Sequence, residues 1–318
     1  MIISPVAKYQ EPLEFTQQQL EIFWLPEEAK VEKDIQDIRV NLSESEKHGV
    51  ITTLKLFTLY EMVAGNEYWG GRFKQIFPTV EFIRMASAFS MFELNVHMPF
   101  YAKINELLHL HSDDFYNSYV EDETLKQRMK CIDEIVDHKN DLISLAGFSM
   151  VEGVILYSSF AFLKHFQSEG KNKLMNIVRG INFSVRDENL HSIAGAWSFK
   201  HLLHTVMKGD LTEGERKELE DAVYGMAEQL YNHECRVSDM IFEKGPIEGV
   251  TSVQMKHFFQ SRVNEGLLNL GYKRLYEVKY NPIANWFYGG INKFQYNDFF
   301  SGVGREYTRN WDASSFTW

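Results

Sequence analysis

Apolar positions recur along this chain at the three- and four-residue spacing of amphipathic helices, and no stretch alternates long enough to predict a sheet. Two capping boxes, Ser43 with Glu46 and Thr212 with Glu215, mark helix starts. The pattern therefore predicts an all-α fold. Helices are expected over residues 43–62, 79–108, 125–168 with a break near 137, 171–207, 212–242 and 252–270.

The helical pattern continues without an internal repeat, a change in composition or a Ser/Pro linker. This continuity predicts one domain over residues 1–290. After Asn281 and Pro282 the chain becomes rich in Gly, Asn and aromatic residues, so residues 291–318 are predicted to form a flexible C-terminal tail.

One apolar segment, residues 142–163, is long enough to cross a bilayer and carries a single charge, Glu152. A lone carboxylate in lipid is costly, whereas a soluble bundle can offer it a metal ion or a partner. A membrane span remains the lesser alternative, and a buried core helix is the prediction.

Composition narrows the function classes. The 318 residues are 44% hydrophobic and 24% charged, as in folded globular proteins, and the net charge of −11 disfavours direct nucleic-acid binding. The two cysteines, Cys131 and Cys235, provide neither a disulfide framework nor a thiolate metal cluster. With no secretory signal at the N-terminus, we expect a cytoplasmic protein.

Acidic residues and histidines occur where these helices should be apolar. Any one of them has an ordinary explanation, such as a hydrogen-bonded core residue. Together they supply two single glutamates and two Glu/His pairs from four helices, which is the ligand set of ferritin-like dinuclear carboxylate sites and suits iron or manganese. The candidate ligands are Glu61, Glu93, His97, Glu152, Glu188 and His191.

Several of these residues lie in motifs of a known family. SVRDENLH at 184–191, His97 followed by Tyr101, and IFWLPEE at 22–28 with its Trp24 all resemble the small, radical-generating beta subunit of class I ribonucleotide reductase. Glu61 with Gly65, and the sequence Asn-Pro-Ile at 281–283, follow in the family's order. The resemblance runs from about residue 20 to about residue 290 and implies a ferritin-like helical bundle with a dinuclear metal site in its core.

Two positions depart from the family pattern. The first Glu/His pair is usually E-x-x-H, but Leu94 stands three residues before His97 and the acid is Glu93. Pro99 removes a helical hydrogen bond to the Asn95 carbonyl, so we expect a local bulge that re-aims Glu93. Glu61 replaces the aspartate of many members, which leaves the metal undetermined: two iron ions, two manganese ions or a mixed pair.

The resemblance also implies roles. Tyr101 would hold a tyrosyl radical, and its oxidising equivalent would leave through His97, Asp187 and Trp24 to a separate large catalytic subunit that reduces ribonucleoside diphosphates for dNTP synthesis. The tail would dock that subunit, with Tyr307 as the relay and Trp311 as the second choice. A homodimer is expected. Aromatic residues expected to shield the radical are Phe92, Phe100, Phe148 and Phe160.

Two other functions stay open. A dinuclear oxidase or oxygenase of the same bundle would consume dioxygen without a radical on Tyr101. A metal-storage bundle would load far more than two ions per chain. Trp24 and the aromatic tail argue against both.

Overall fold

The computed structural model describes residues 4–207, 211–278 and 281–288, and the predicted tail with Tyr307 and Trp311 lies outside them. No β-strand occurs in these ranges, where a single bridge pairs Ile247 with Val250, so the all-α prediction is confirmed. The α-helices are α1 (Glu11–Glu21), α2 (Glu44–Met62), α3 (Phe73–Ile76), α4 (Val80–Phe92), α5 (Met98–Leu107), α6 (Asp113–Glu121), α7 (Glu123–Val136), α8 (Asp141–Met150), α9 (Leu156–Lys164), α10 (Met175–His201), α11 (Glu213–Ile241) and α12 (Ser252–Leu270).

Helix starts follow the local sequence signals. The reciprocal side-chain and backbone hydrogen bonds of a capping box are present between Ser43 and Glu46 at α2 and between Thr212 and Glu215 at α11. Helix α12 ends at Gly271, whose φ of 94° lies in the left-handed region that glycine tolerates. These helix boundaries confirm the predicted ones, whereas α1, α3 and α6 were not predicted.

Three of the five π-helical segments in the described part of the chain interrupt or extend α2, α4 and α8. Val63–Arg72 continues α2, Glu93–His97 joins α4 to α5, and Val151–Ile155 joins α8 to α9. A π-helical turn has one more residue than an α-turn, so it rotates the side chains before it relative to those after it. Each of these segments contains or follows one of the candidate metal ligands.

The longest apolar helix lies in the centre of the molecule. Asp141–Ser168 is long and apolar enough to cross a membrane, but 94% of its most apolar window is buried inside the protein. It packs against α10, α11 and α12. This burial agrees with the prediction of a core helix.

Helix α10, which carries three of the motif residues, is fixed at its N-terminus by a distant acid. Asp34 Oδ2 accepts the backbone N–H groups of Asn176 and Ile177 at 2.7 and 2.6 Å, and Asp37 accepts that of Leu174 at 2.8 Å. Carboxylates at this end of a helix satisfy its free N–H groups and complement its dipole. The segment before α2 thereby sets where α10 begins.

Candidate metal centre

The structure brings all six candidate ligands together in the core. Glu61 lies at the end of α2, Glu93 and His97 in the π-helical turn between α4 and α5, and Glu152 in the turn between α8 and α9. Helix α10 contributes Glu188 and His191. Each of the six is at most 1% exposed.

The six side chains form two overlapping groups. One contains Glu61, Glu93, His97 and Glu188, the other Glu93, Glu152, Glu188 and His191, and the ligand atoms within each group lie within 4.8 Å of one another. Glu93 and Glu188 belong to both groups. The arrangement is therefore that of two adjacent metal positions with two shared carboxylates.

The shared glutamates each turn one oxygen toward each histidine. Glu93 places Oε2 3.1 Å from His97 Nδ1 and Oε1 2.7 Å from His191 Nδ1. Glu188 places Oε1 3.1 Å from His97 Nδ1 and Oε2 3.3 Å from His191 Nδ1. Both histidines thus present Nδ1 to the centre, and each glutamate has an oxygen near both of them.

The π-helical turn brings Glu93 into the cluster despite its four-residue spacing from His97. The Met98 N–H bonds to the Glu93 carbonyl, five residues back, as in a π-helix. Asn95, the other nearby polar residue, is exposed and donates to the Met91 carbonyl. The bulge expected from the sequence therefore occurs, and it turns Glu93 inward.

Close helix packing also shapes this corner. A Cβ on Gly65 would lie 2.6 Å from Leu94 Cγ and 2.9 Å from Glu93 Cβ. Only glycine leaves room for this approach. The glycine four residues after Glu61 thereby permits the Glu93 turn to pack against the end of α2.

Hydrogen bonds behind the two histidines fix their orientation. His97 Nε2 lies 3.0 Å from Asp187 Oδ2, and His191 Nε2 lies 2.9 Å from Gln19 Oε1. Gln19 Nε2 also donates to Asp187 Oδ1 at 3.2 Å. An acceptor at each Nε2 favours the tautomer that leaves the Nδ1 lone pair free for a metal ion.

Asp187 connects the cluster to an indole. Trp24 Nε1 donates to Asp187 Oδ2 at 2.7 Å, and both side chains are fully buried. Trp24, Asp187 and His97 therefore form a continuous hydrogen-bonded series that ends at the centre. Asp187 is therefore an acid of the protein core.

Comparisons with known proteins agree with this geometry. The family model "Ribonucleotide reductase, small chain" matches residues 5–282. This chain belongs to that family. It is 27% identical over 294 residues to a ribonucleoside-diphosphate reductase subunit beta of Mycobacterium tuberculosis, covering 90% of this chain and 85% of the relative. It is 26% identical over 314 residues to the Bacillus subtilis subunit beta, covering 93% and 88%.

A solved structure supports the fold of this small chain. Dimanganese(II)-NrdF from Streptococcus sanguinis is similar with a TM-score of 0.77 at 21% identity, covering 90% of this chain and 98% of that one. The likeness confirms the predicted ferritin-like helical bundle.

The charges of the small chain's cluster fit bound cations. Both oxygens of Glu61 and of Glu188, and Oε2 of Glu152, are buried and accept no hydrogen bond from outside the cluster. Burial and the Glu93 carboxylate raise the pKa of Glu61 well above its ordinary value. Burial alone would lower the pKa of His191, but the Glu93 and Glu188 carboxylates raise it to about 9. The cluster thus contains four buried carboxylates whose negative charge two divalent ions would balance.

Tyr101 of the small chain lies one helical turn after His97 and is fully buried. Its ring stacks on Phe57 with centroids 4.3 Å apart, and Phe100 contacts it edge-on at 4.9 Å. Its hydroxyl is 3.4 Å from Ser184 Oγ. Burial, with the Glu61 carboxylate, raises the pKa of the phenol well above its ordinary value.

The expected aromatic shield is only partly the one found beside Tyr101. Phe160 stacks on Phe57, at 5.3 Å, in a second layer behind the tyrosine. Phe148 instead stacks on Tyr68 at 3.6 Å, and Phe92 packs against Phe23 at 5.4 Å.

Gln19, Trp69 and Phe57 are site residues that the sequence did not reveal. Trp69 Nε1 donates to Glu152 Oε1 at 2.9 Å. Each contacts the centre or Tyr101 through a side chain from a distant part of the sequence, and no motif marks them.

Proposed function

We propose that this chain is the radical-generating small subunit of a ribonucleoside-diphosphate reductase. The proposal rests on family membership and on one observation: the hydrogen-bonded series of Trp24, Asp187 and His97, with steps of 2.7 and 3.0 Å, that joins an indole to the metal cluster. A bundle that only stored metal, or only oxidised a small substrate, would not need such a series.

The metal ions would be held as two neighbours. Glu61 and His97 would bind the first, Glu152 and His191 the second, and Glu93 and Glu188 both. The donor set of carboxylates and imidazoles suits a dinuclear centre of iron or manganese. When bound, such a pair supplies strong one-electron oxidation after reaction with an oxygen species.

Tyr101 would store the oxidising equivalent as a neutral radical, having lost one electron and its hydroxyl proton. Its complete burial and its contacts with Phe57 and Phe100 exclude water and reductants. The raised pKa of the phenol means that the resting side chain keeps its proton until it is oxidised.

Asp187 would link Trp24 to His97 in the relay. Its Oδ2 accepts from the Trp24 indole and lies within hydrogen-bond distance of His97 Nε2, so one carboxylate oxygen contacts both partners. A proton shared at this oxygen would allow Trp24 to give up an electron without leaving an isolated buried charge.

The partner would be the large catalytic subunit, reached through residues 291–318, with Tyr307, or else Trp311, carrying the radical across. We also propose a cytoplasmic homodimer in which residues 1–290 form one domain.

Reconstitution with the large subunit encoded by the same genome tests the function. The metal-loaded full-length chain should support reduction of a ribonucleoside diphosphate. A chain ending after Val303 should keep its metal content but lose partner binding and turnover. Dioxygen consumption without nucleotide reduction would instead favour an oxidase, and loading far beyond two ions per chain would favour storage.

A further inference from the structure

The two oxygens of Glu152 have different surroundings. Oε1 accepts the indole N–H of Trp69 at 2.9 Å, whereas Oε2 has no hydrogen-bond partner. Glu61 and Glu188, by contrast, accept no hydrogen bond from outside the cluster at either oxygen. Among these three glutamates, Glu152 alone has an oxygen committed to a donor that is not a candidate ligand.

Trp69 is held so that its N–H cannot easily turn away. It is fully buried in the π-helical segment Val63–Arg72. Phe73 and Phe89 contact its ring, each at 4.9 Å between centroids, and Tyr68 does so at 5.0 Å. Rotating an indole within such packing would displace several rings.

Some of the aromatic rings around Trp69 belong to the helices that carry the candidate ligands. Phe148, one turn before Glu152, lies edge-on to Trp69 at 6.1 Å and 88°. Phe89, one turn before Glu93, contacts both Trp69 and His191, and its ring centroid lies 4.2 Å from that of His191. The position of the indole is therefore set by the same helices that present the ligands.

We propose that Trp69 is a positioning residue. Its N–H holds Oε1 of Glu152 in a hydrogen bond, so that Oε2 is the single oxygen available to bind the metal. An indole N–H can donate but not accept, so it favours the carboxylate acceptor in one orientation. The inference rests on the proposed metal site and adds a determinant of how Glu152 binds. Groups that orient metal ligands commonly change affinity about tenfold to a hundredfold when removed.

Cobalt(II) titration of the purified chain, followed by visible absorption, tests this role. Trp69→Phe keeps the ring and removes the N–H. We expect two ions per chain in the wild type. In Trp69→Phe we expect one of the two affinities to fall about tenfold to a hundredfold. The absorption should also weaken, because a freed Oε1 can bind too and raise the coordination number.

Two variants control for packing and for loss of an indole. Phe77→Leu removes a buried ring that packs on Phe73 and Phe82, and Trp286→Phe removes an indole N–H on the helical segment 282–288. Both should keep the wild-type affinities and spectrum. Wild-type behaviour of Trp69→Phe, or the same spectral change in Phe77→Leu, would overturn the inference. Failure of the wild type to bind two ions would overturn the proposed metal site instead.

A measurement on the unaltered protein covers the case in which Trp69→Phe does not fold. The indole N–H of Trp69, assigned by its contacts with Phe89 and Phe148 in a nitrogen-15 labelled sample, should be protected from hydrogen exchange both without metal and after zinc(II) loading. Rapid exchange after zinc loading would show that Oε1 is released on binding and would contradict the proposal.

Discussion

Trp24 Nε1 donates to Asp187 Oδ2 at 2.7 Å, although the two residues are 163 positions apart. The same oxygen lies 3.0 Å from His97 Nε2. In the proposed function, delivery of the radical and its formation would depend on different residues. Trp24 is hydrogen-bonded to the Asp187 carboxylate beside His97, whereas Tyr101 lies on the helix that follows His97.

Trp24→Phe should separate these two steps. The variant keeps an aromatic ring but loses the N–H, so we expect the tyrosyl radical to form in normal yield while turnover with the large subunit falls to background. Radical yield from electron paramagnetic resonance and nucleotide reduction, measured on the same sample, check this. Full turnover would remove Trp24 from the relay.

Gln19→Leu should weaken metal binding without unfolding the chain. The Gln19 amide oxygen is the acceptor for His191 Nε2 at 2.9 Å. Without this acceptor, the His191 imidazole is no longer held in the orientation that points Nδ1 at the centre. We expect affinity at one of the two positions to fall about tenfold to a hundredfold. The matched control is Gln18→Leu, at the exposed neighbouring position. Equal affinities in the two variants would contradict the role of Gln19.

A buried ion pair away from the metal centre should contribute strongly to stability. Arg128 Nε donates to Glu234 Oε1 at 2.9 Å, and neither side chain is more than 1% exposed. Arg128→Leu leaves Glu234 unpaired, so we expect a loss of about 3–5 kcal/mol of unfolding free energy. The double variant with Glu234→Leu should recover much of that loss. Urea denaturation measures both, and a single variant as stable as the wild type would contradict the prediction.

Lys164 should make stability depend on pH. Burial lowers its pKa from 10.5 to about 7, so between these values the unfolded chain binds more protons than the folded one. Unfolding free energy should therefore rise from about pH 7 toward pH 10. Lys164→Met should remove this rise and be more stable near pH 7 by on the order of a few kcal/mol.

Urea denaturation across this pH range provides the comparison for Lys164. The control is Lys130→Met, because the Lys130 side chain is 74% exposed and should leave the pH profile unchanged. Parallel profiles for wild type and Lys164→Met would show that this lysine is not the cause.

The sequence predicted the parts of the site whose chemistry conflicts with their surroundings. Glu152 was evident as a lone charge in an apolar run, and Glu188 with His191 as a pair on one helix face. Glu93 required a π-helical turn, which the hydrophobic pattern does not encode even though Pro99 indicated a local irregularity. The first helix, α1, was missed because FTQQQLE at 15–21 has little apolar periodicity.

Contacts between distant segments could not be predicted from the sequence. Gln19 and His191 are 172 residues apart, and Trp69 and Glu152 are 83 apart. Each pair meets only after the helices have packed, and neither a glutamine nor a tryptophan in a helix indicates by itself which partner it will find. Periodicity predicts the buried faces of helices, but not the contacts between them.

Electron paramagnetic resonance of the metal-loaded protein, combined with metal analysis, tests the central claim most directly. We predict two ions per chain and a tyrosyl radical in the wild type, and in Tyr101→Phe the same two ions with no tyrosyl signal. An unchanged radical in Tyr101→Phe would move the role to another tyrosine such as Tyr60 or Tyr157. A wild-type chain that binds two ions but forms no radical with any oxidant would contradict the account as a whole.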